Sequence, residues 1–399
     1  MALATHFVYG PTLNDIVRYG GVSPTAFEFT GVTSGDAGWA RDSSLAGWQV
    51  TMAAAESIPP DPTGSIIWDC FYYHTPRSLT SGNAKAVQRL YFDVLEDVFS
   101  VTHFADIQFY NDAGTCKFRL ARDQSTQKAI STTGRSLDTT YLVWTRRDTS
   151  TDVVTVFING ASDVTFDYTD GTMLGWPIAA NRIFRSGPSD EAVDAWWSSI
   201  GGRWDTSDTE DETQYPECHQ HLPTANGNYT AYKSSATGTT PGDWQMWDDP
   251  AAQDGDATYN QCVPSSKQSS QVAGRTYTNT IVGLSWWGYL RNVLSNKNAA
   301  HWALLRQSST DKERGLPVSN STSYASYSAV FNTPPAGTWE DALETPVLEA
   351  GHSSGAVAGA LINVTAILCE GLALGATNKA PPDPPAAAAG RRRASSQVI

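Results

Sequence analysis

Cysteine is scarce and odd in number: Cys70, Cys116, Cys218, Cys262 and Cys369 are all there are. Their wide spacing excludes the disulfide framework of small secreted domains. Buried thiols are the expectation. A pairing formed after release from a cell stays open, and sequence prefers no pair. The chain also lacks a basic excess: 27 Lys and Arg face 41 Asp and Glu, for a net charge of −14. That argues against general nucleic-acid binding, which needs a basic face. It suits a surface that stays soluble at high copy number. No apolar run approaches the ~18 residues of a membrane span. The stretch Ala356 to Leu368 is shorter, is broken by Asn363 and Thr365, and reads as a buried strand. The opening MALATHFVYGPT has neither a basic n-region nor a long apolar h-region. No secretory signal is therefore expected, and synthesis is expected in a cytoplasm, with exit by lysis or assembly.

What is present favours strands. Fourteen Trp, sixteen Tyr, 32 Gly and 21 Pro fit short strands and turns better than helices. At 399 residues the chain exceeds one ordinary core, so two or three domains are expected. The clearest segment is Tyr141 to Tyr168. Leu142, Trp144, Val154, Val156 and Ile158 alternate with polar or outward positions, the period of a half-buried strand. Asn159-Gly160 then supplies the two positive-φ positions of a type I′ turn, and Val164, Phe166 and Tyr168 begin a partner strand. This Trp-bearing strand and Asn-Gly hairpin resemble the centre of laminin-G-like, concanavalin A-like jelly rolls. That fold serves lectins, glycosidases and spacers alike, so the likeness bears on architecture first.

Further strands are expected at Phe27 to Phe29, Trp48 to Met52, 66–73, Val101 to Tyr110 and Lys117 to Ala121. Asn83 to Phe99 reads as a strand, with a helix as the alternative. Residues 205–216 form a charge-dense link. Alternation returns at Thr276 to Val293, His301 to Arg306, Tyr324 to Phe331 and Ala356 to Glu370. The expected plan is all-β: residues 1–220 a jelly-roll sandwich with an N-terminal lead-in strand, and 221–378 a second, smaller β-sandwich. Residues 379–399 form a Pro/Ala tail with Arg391, Arg392 and Arg393. Alone it cannot bury enough apolar surface to order itself. On an acidic body such a tail is expected to dock onto a neighbouring subunit.

Several motifs of the second half resemble a recurring module of tailed-bacteriophage virion proteins, in the same order. They are the Leu-Pro then Asn-Gly opening within His221 to Lys233, and Trp247-Asp248-Asp249-Pro250 followed by Asp254-Gly255-Asp256-Ala257-Thr258-Tyr259. Then come Pro334-Pro335, Gly337-Thr338-Trp339 and Asp341 to Glu344 before a short helix, and a last strand from Ile362 to Leu368. Pro346 departs from the pattern and is expected to shorten that helix. In that family the module often follows a laminin-G-like domain. The likeness implies a virion structural protein, and its motifs are turn and packing signatures with no chemistry of their own.

Candidate chemistry is thin. Gly351-His352-Ser353-Ser354-Gly355 matches G-x-S-x-G, but a strand follows where the nucleophile elbow needs a helix. Asp205, Asp208, Glu210, Asp211 and Glu212 define no single strand face, as paired glycosidase carboxylates would, and read as a solvated link. Asp248, Asp249, Asp254 and Asp256 offer oxygen ligands suited to a structural calcium ion, the one cofactor the sequence raises. Cys218, His219 and His221 beside Glu217 suggest part of a zinc site, with no second Cys/His pair near in sequence and Cys262 a candidate to approach in space; a boundary loop is preferred. Trp196-Trp197 and Trp286-Trp287 are adjacent in strands, so one of each pair is expected to be exposed, for sugar stacking or a protein contact.

The sequence therefore points to a non-enzymatic structural component of a tailed-phage virion, a capsid decoration or a head or neck fibre. Its expected partners are other virion proteins and copies of itself, with no nucleic acid and no membrane insertion. The alternative is a carbohydrate-binding receptor-recognition module that grips host surface glycans.

Overall fold

A computed structural model describes residues 5–9, 27–30, 39–42, 48–50, 66–91, 104–122, 126–148, 151, 153–167, 182–184, 193, 195–205, 212–234, 244–247, 259–294, 300–316, 322–345, 347–356 and 361–378. The first half supplies β1 (Thr5–Tyr9), β2 (Phe27–Thr30), β3 (Trp39–Asp42), β4 (Trp48–Val50) and β5 (Ile66–His74). It continues with β6 (Ala84–Tyr91), β7 (Phe104–Asp112), β8 (Thr115–Arg122), β9 (Thr126–Ile130) and β10 (Thr140–Asp148). β11 (Val153–Ile158), β12 (Ala161–Asp167), β13 (Arg182–Phe184) and β14 (Ala195–Asp205) complete it. The second half supplies β15 (Tyr215–His221), β16 (Pro223–Thr230), β17 (Lys233–Ser234), β18 (Asn260–Cys262), β19 (Lys267–Val272) and β20 (Thr280–Asn292). Then come β21 (His301–Gln307), β22 (Thr310–Leu316), β23 (Ala325–Phe331), helix α1 (Trp339–Leu343), β24 (Leu348–Ser354) and β25 (Ile362–Gly375).

The chain is all-β. One pair of sheets has the orders β12-β11-β10-β5-β14-β3-β2, with β1 added on β14, and β4-β13-β6-β7-β8-β9. The other pair has the orders β17-β18-β25-β20-β23, with β15 added on β25, and β16-β19-β24-β21-β22. β15 hydrogen-bonds along β25 from Tyr215 to His221, so residues 215–220 belong with the second sheets, although the sequence placed them with the first. The segment at Asn83 is a strand as far as Tyr91; residues 92–99 lie outside the described residues.

The β11–β12 hairpin has its expected turn. Asn159 and Gly160 take φ of 53° and 78°, the left-handed pair a type I′ turn needs. The Asn159 side chain also accepts from Leu142 N at 2.9 Å, which ties the turn to β10. The single expected face did not survive. Register puts Val143 opposite Ile158 and Trp144 opposite Phe157. Leu142 and Trp144 therefore point away from Val154, Val156 and Ile158, because directly paired residues share a face. Both faces of β10 are buried rather than one.

The reason is a core shared between the sandwiches. Tyr73, Phe109, Phe118 and Trp197 fill the inside of the first, with ring centroids 5.3 to 6.4 Å apart. The opposite face of the same large sheet presents Trp68, Cys70, Tyr72, Leu142, Trp144 and Trp196. These pack against Cys218, Leu372 and Leu374 of the second sandwich. Trp68 meets Trp144 edge-on at 6.0 Å, a favoured aromatic geometry. Trp144 Nε1 donates to Gln214 O at 2.9 Å, which fixes the connecting segment to the seam. β1, paired to β14, also runs against β20.

The second core gathers Trp247, Leu284, Trp286, Leu305, Phe331, Trp339 and Ile367, among others. Helix α1 opens with a capping box: Thr338 Oγ1 accepts from Asp341 N at 3.1 Å, and Asp341 Oδ2 accepts from Thr338 N. That arrangement satisfies two helix-end donors at once. The helix ends at Leu343 with Glu344 as its C-cap, two positions before Pro346.

Candidate functional site

The outer face of the five-stranded sheet carries a dense polar cluster open to solvent. Three rows cross it in register. The first is Lys267, Ser353, Trp302 and Gly315; the second is Ser269, Gly351, Leu304 and Glu313; the third is Gln271, Glu349, Arg306 and Asp311. Alternation puts them on the face opposite Ala303, Leu305 and Ala350, which belong to the core.

The irregular part of β16 folds onto this face. Its pairing with β19 slips between Asn226 and Thr230. Gly227 sits there because a Cβ would strike both Ser269 and Glu349. Buried Glu349 accepts from Asn228 N at 2.8 Å, from Ser269 Oγ at 2.5 Å and from the Asn228 amide. The carboxylate thus holds down the strand that carries Tyr229.

Tyr229 is the centre of the cluster. Its hydroxyl donates to Asp311 Oδ2 at 2.7 Å and accepts from Arg306 Nη1 at 2.9 Å. Arg306 Cζ lies 4.8 Å and Lys267 Nζ 5.4 Å from its ring centroid, within cation–π range. Lys267 also bonds Asp311 at 2.7 Å and Glu313 at 2.8 Å. Hydrogen bonding to Asp311 pushes the Tyr229 hydroxyl and the Arg306 guanidinium up. Burial pushes Asp311 up, but bonds from Lys267, Tyr229 and Arg306 outweigh it and hold the carboxyl below its usual range. Burial likewise lowers Lys267, but its two carboxylate partners win and raise it. Tyr229, Arg306, Asp311 and Lys267 are thereby held further in their ordinary charge states. The cluster is built to present charges and an aromatic ring, not to move a proton near neutral pH.

The residues expected from sequence fall elsewhere. All four tryptophans are buried: Trp196 at 5 %, Trp197 at 1 %, Trp286 at 0 % and Trp287 at 1 % exposure. The expectation of one exposed ring per pair is overturned, because both faces of β14 and β20 are covered. Trp196 faces the seam, while Trp197 faces the first core and donates to Val87 O. Trp286 lies in the second core, and Trp287 packs with Ala366 and Leu368 on the outer side of that sheet. There Trp287, Tyr289 and Tyr324 stack in series at 6.5 and 5.3 Å, and Arg291 lies 4.9 Å from the last ring.

Asp248, Asp249, Asp254 and Asp256 lie outside the described residues, as do Arg391, Arg392 and Arg393. Asp208, Glu210 and Asp211 do also. The suspected zinc residues are strand residues with other partners. His219 bonds Glu217 at 2.9 Å, and His221 bonds Ala273 O and Tyr277. Cys218 pairs with Leu372 and Cys262 with Ile362, ten positions apart on one strand, roughly 30 Å. No group of three His, Cys, Asp or Glu among the described residues is placed to hold a metal ion. Ser353 of the G-x-S-x-G match lies inside β24, not on a strand-to-helix turn. All five cysteines are buried and free.

No family model matches the chain, and no curated protein matches it. The solved structures it resembles include galectin-like and lectin-type β-sandwich domains. The binding domain of botulinum neurotoxin DC, in complex with rat synaptotagmin II, covers 83 % of this chain and 92 % of its own, at 10 % identity and TM-score 0.32. The botulinum neurotoxin serotype D ligand binding domain, in complex with N-acetylneuraminic acid, covers 88 % and 91 %, at 11 % identity and TM-score 0.31. A galectin-like protein of unknown function from Bacillus subtilis covers 45 % and 86 %, at 10 % identity and TM-score 0.28.

Proposed function

We propose that this chain is a non-enzymatic structural component of a tailed-bacteriophage virion, a capsid decoration or a head or neck fibre. One observation carries the reading. Several described residues that bear the resemblance to phage modules serve packing or turns. Gly227 lets β16 lie against Glu349, Thr338 caps α1, Trp339 fills the second core, and Ile362 to Leu368 are the first half of the middle strand β25. The seam favours the same reading, since a continuous apolar core makes two sandwiches into one stiff unit. Residues 379–399 and the N-terminus are the proposed contacts with copies of the chain and other virion proteins.

The test is electron microscopy of purified particles labelled with an antibody against residues 221–378. Label spread over the head supports decoration or head fibres. Absence of label from intact particles overturns the virion reading. Particles that assemble normally with a chain lacking 379–399 overturn the docking role of the tail.

The Tyr229 cluster favours a second reading, recognition of host glycans. Its ring, cations and carboxylates are pre-positioned donors and acceptors of the kind that orient polyhydroxylated ligands. A glycan array with the whole chain and with Arg306→Ala decides it. Signal lost in the variant supports this face, and no signal from the unmodified chain removes it.

A further inference from the structure

His301 and His352 make a stacked pair inside the second sandwich. His301 opens β21 opposite Ser354, and His352 on β24 lies opposite Ala303. Both therefore point inward. Their ring centroids are 5.1 Å apart with planes 19° from parallel. Exposure is 2 % for His301 and 0 % for His352.

Among the described residues, three of the four ring nitrogens have no hydrogen-bond partner: both of His301, and Nε2 of His352. The fourth, His352 Nδ1, is 2.7 Å from the Tyr232 hydroxyl. Leaving buried polar atoms unpaired costs stability. Adding a proton to either ring costs more, because an imidazolium there has two donors and stacks on its neighbour instead of bonding to it.

Among the described residues, the groups around the pair offer no negative charge. Gln268 on β19 is the register partner of His352 and bonds Tyr232 N. Ser354 is the partner of His301 and donates to Val263 O. Tyr232 follows β16, and Cys262 ends β18. Burial pushes the Tyr232 hydroxyl well up and the Cys262 thiol up to about 12, so both are neutral in acid. Glu313, whose charge reaches Tyr232, is opposite Leu304 and so on the outer face.

We propose that the His301–His352 stack is a proton-triggered lock, which holds the second sandwich closed while both rings are neutral and opens it when they are protonated. Burial holds His301 at about 4 and His352 well below the ordinary value. The unfolded rings take up protons near 6.5. The folded state is therefore unaffected above 6.5 and loses ground steadily as pH falls from there towards 4. Acid becomes a signal that exposes the core strands of one sandwich.

The test is urea unfolding of the full chain at pH 7.5, 6.0, 5.0 and 4.5, followed by tryptophan fluorescence. The comparison is the double variant His301→Phe, His352→Gln, whose glutamine keeps a hydrogen-bonding partner for Tyr232. The stability–pH slope of the original chain should exceed the variant's by about two protons. His221, a third buried histidine whose value burial lowers to about 4, stays in both chains and cancels. Equal slopes overturn the proposal. If the variant does not fold, ring nitrogen NMR of the unaltered chain decides. Rings that stay neutral in the folded chain down to pH 5 support the lock, and either ring titrating near 6.5 while folded overturns it.

Discussion

Gly201 of the first sandwich and Leu372 of the second are packed so closely that a Cβ on Gly201 would lie 2.5 Å from Leu372 Cδ2. Cys70 sits beside Gly201 and Cys218 beside Leu372 in their ladders. The missing side chain is what lets the two sheets meet there.

Filling that point should open the seam. Gly201→Ala is expected to cost about 1–3 kcal/mol by overpacking. Leu372→Ala should cost about 2–5 kcal/mol by leaving a cavity. Combined, the two should cost less than their sum, because the alanine methyl occupies space the leucine vacates. Urea unfolding of the four chains measures the coupling, and strict additivity would refute the contact.

Glu349 is a structural anchor. Its carboxylate accepts three hydrogen bonds from Ser269 and Asn228. Glu349→Ala leaves those donors unpaired in a buried site, at about 1–3 kcal/mol. It should also raise hydrogen exchange at Asn228 and Tyr229 N–H selectively. Exchange unchanged at those two amides would contradict the anchoring role.

Asp311 gives the Tyr229 cluster an acid dependence. Its folded carboxyl titrates below 3.8. Such a group stabilises the fold above its unfolded value, and the contribution disappears as pH falls through the folded value. Asp311→Asn should therefore be less stable than the original at pH 6. The gap should close below pH 3.8, and a gap constant with pH would count against the network.

The thiols should be silent until unfolding. Burial raises Cys116 and Cys218, takes Cys262 to about 12 and lifts Cys369 higher still. A thiol reagent should find little reactivity in the native chain and five thiols in denaturant without reductant. Three thiols or fewer in denaturant would mean that a disulfide forms.

Local pattern was legible in the sequence where the chemistry is local. Asn159-Gly160 dictated its turn because few residues accept two left-handed positions in succession. The short helix after Gly337-Thr338-Trp339 was expected only from the resemblance, and the structure adds that Thr338 and Asp341 cap its start. The strand at 66–73, mostly apolar, was read as buried, and both its faces are. The Tyr229 cluster was missed, because its members come from β16, β19, β21 and β22, and only register aligns them. The one local signal was Asn-Gly-Asn-Tyr at 226–229, where a glycine inside a strand marks close backbone approach.

Alternation and turn residues by themselves determined that this chain is all-β and where many of its strands lie, since strand period and turn chemistry act over a few neighbours. The tertiary structure alone decided which faces are buried. Trp196 and Trp287 looked equally fit for solvent or core. A second sheet laid across the seam put Trp196 in the dark, and packing on the outer side of β20 and β25 did the same for Trp287. Whether a strand has one covered face or two depends on what lies ~10 Å above it, and that partner is distant in sequence.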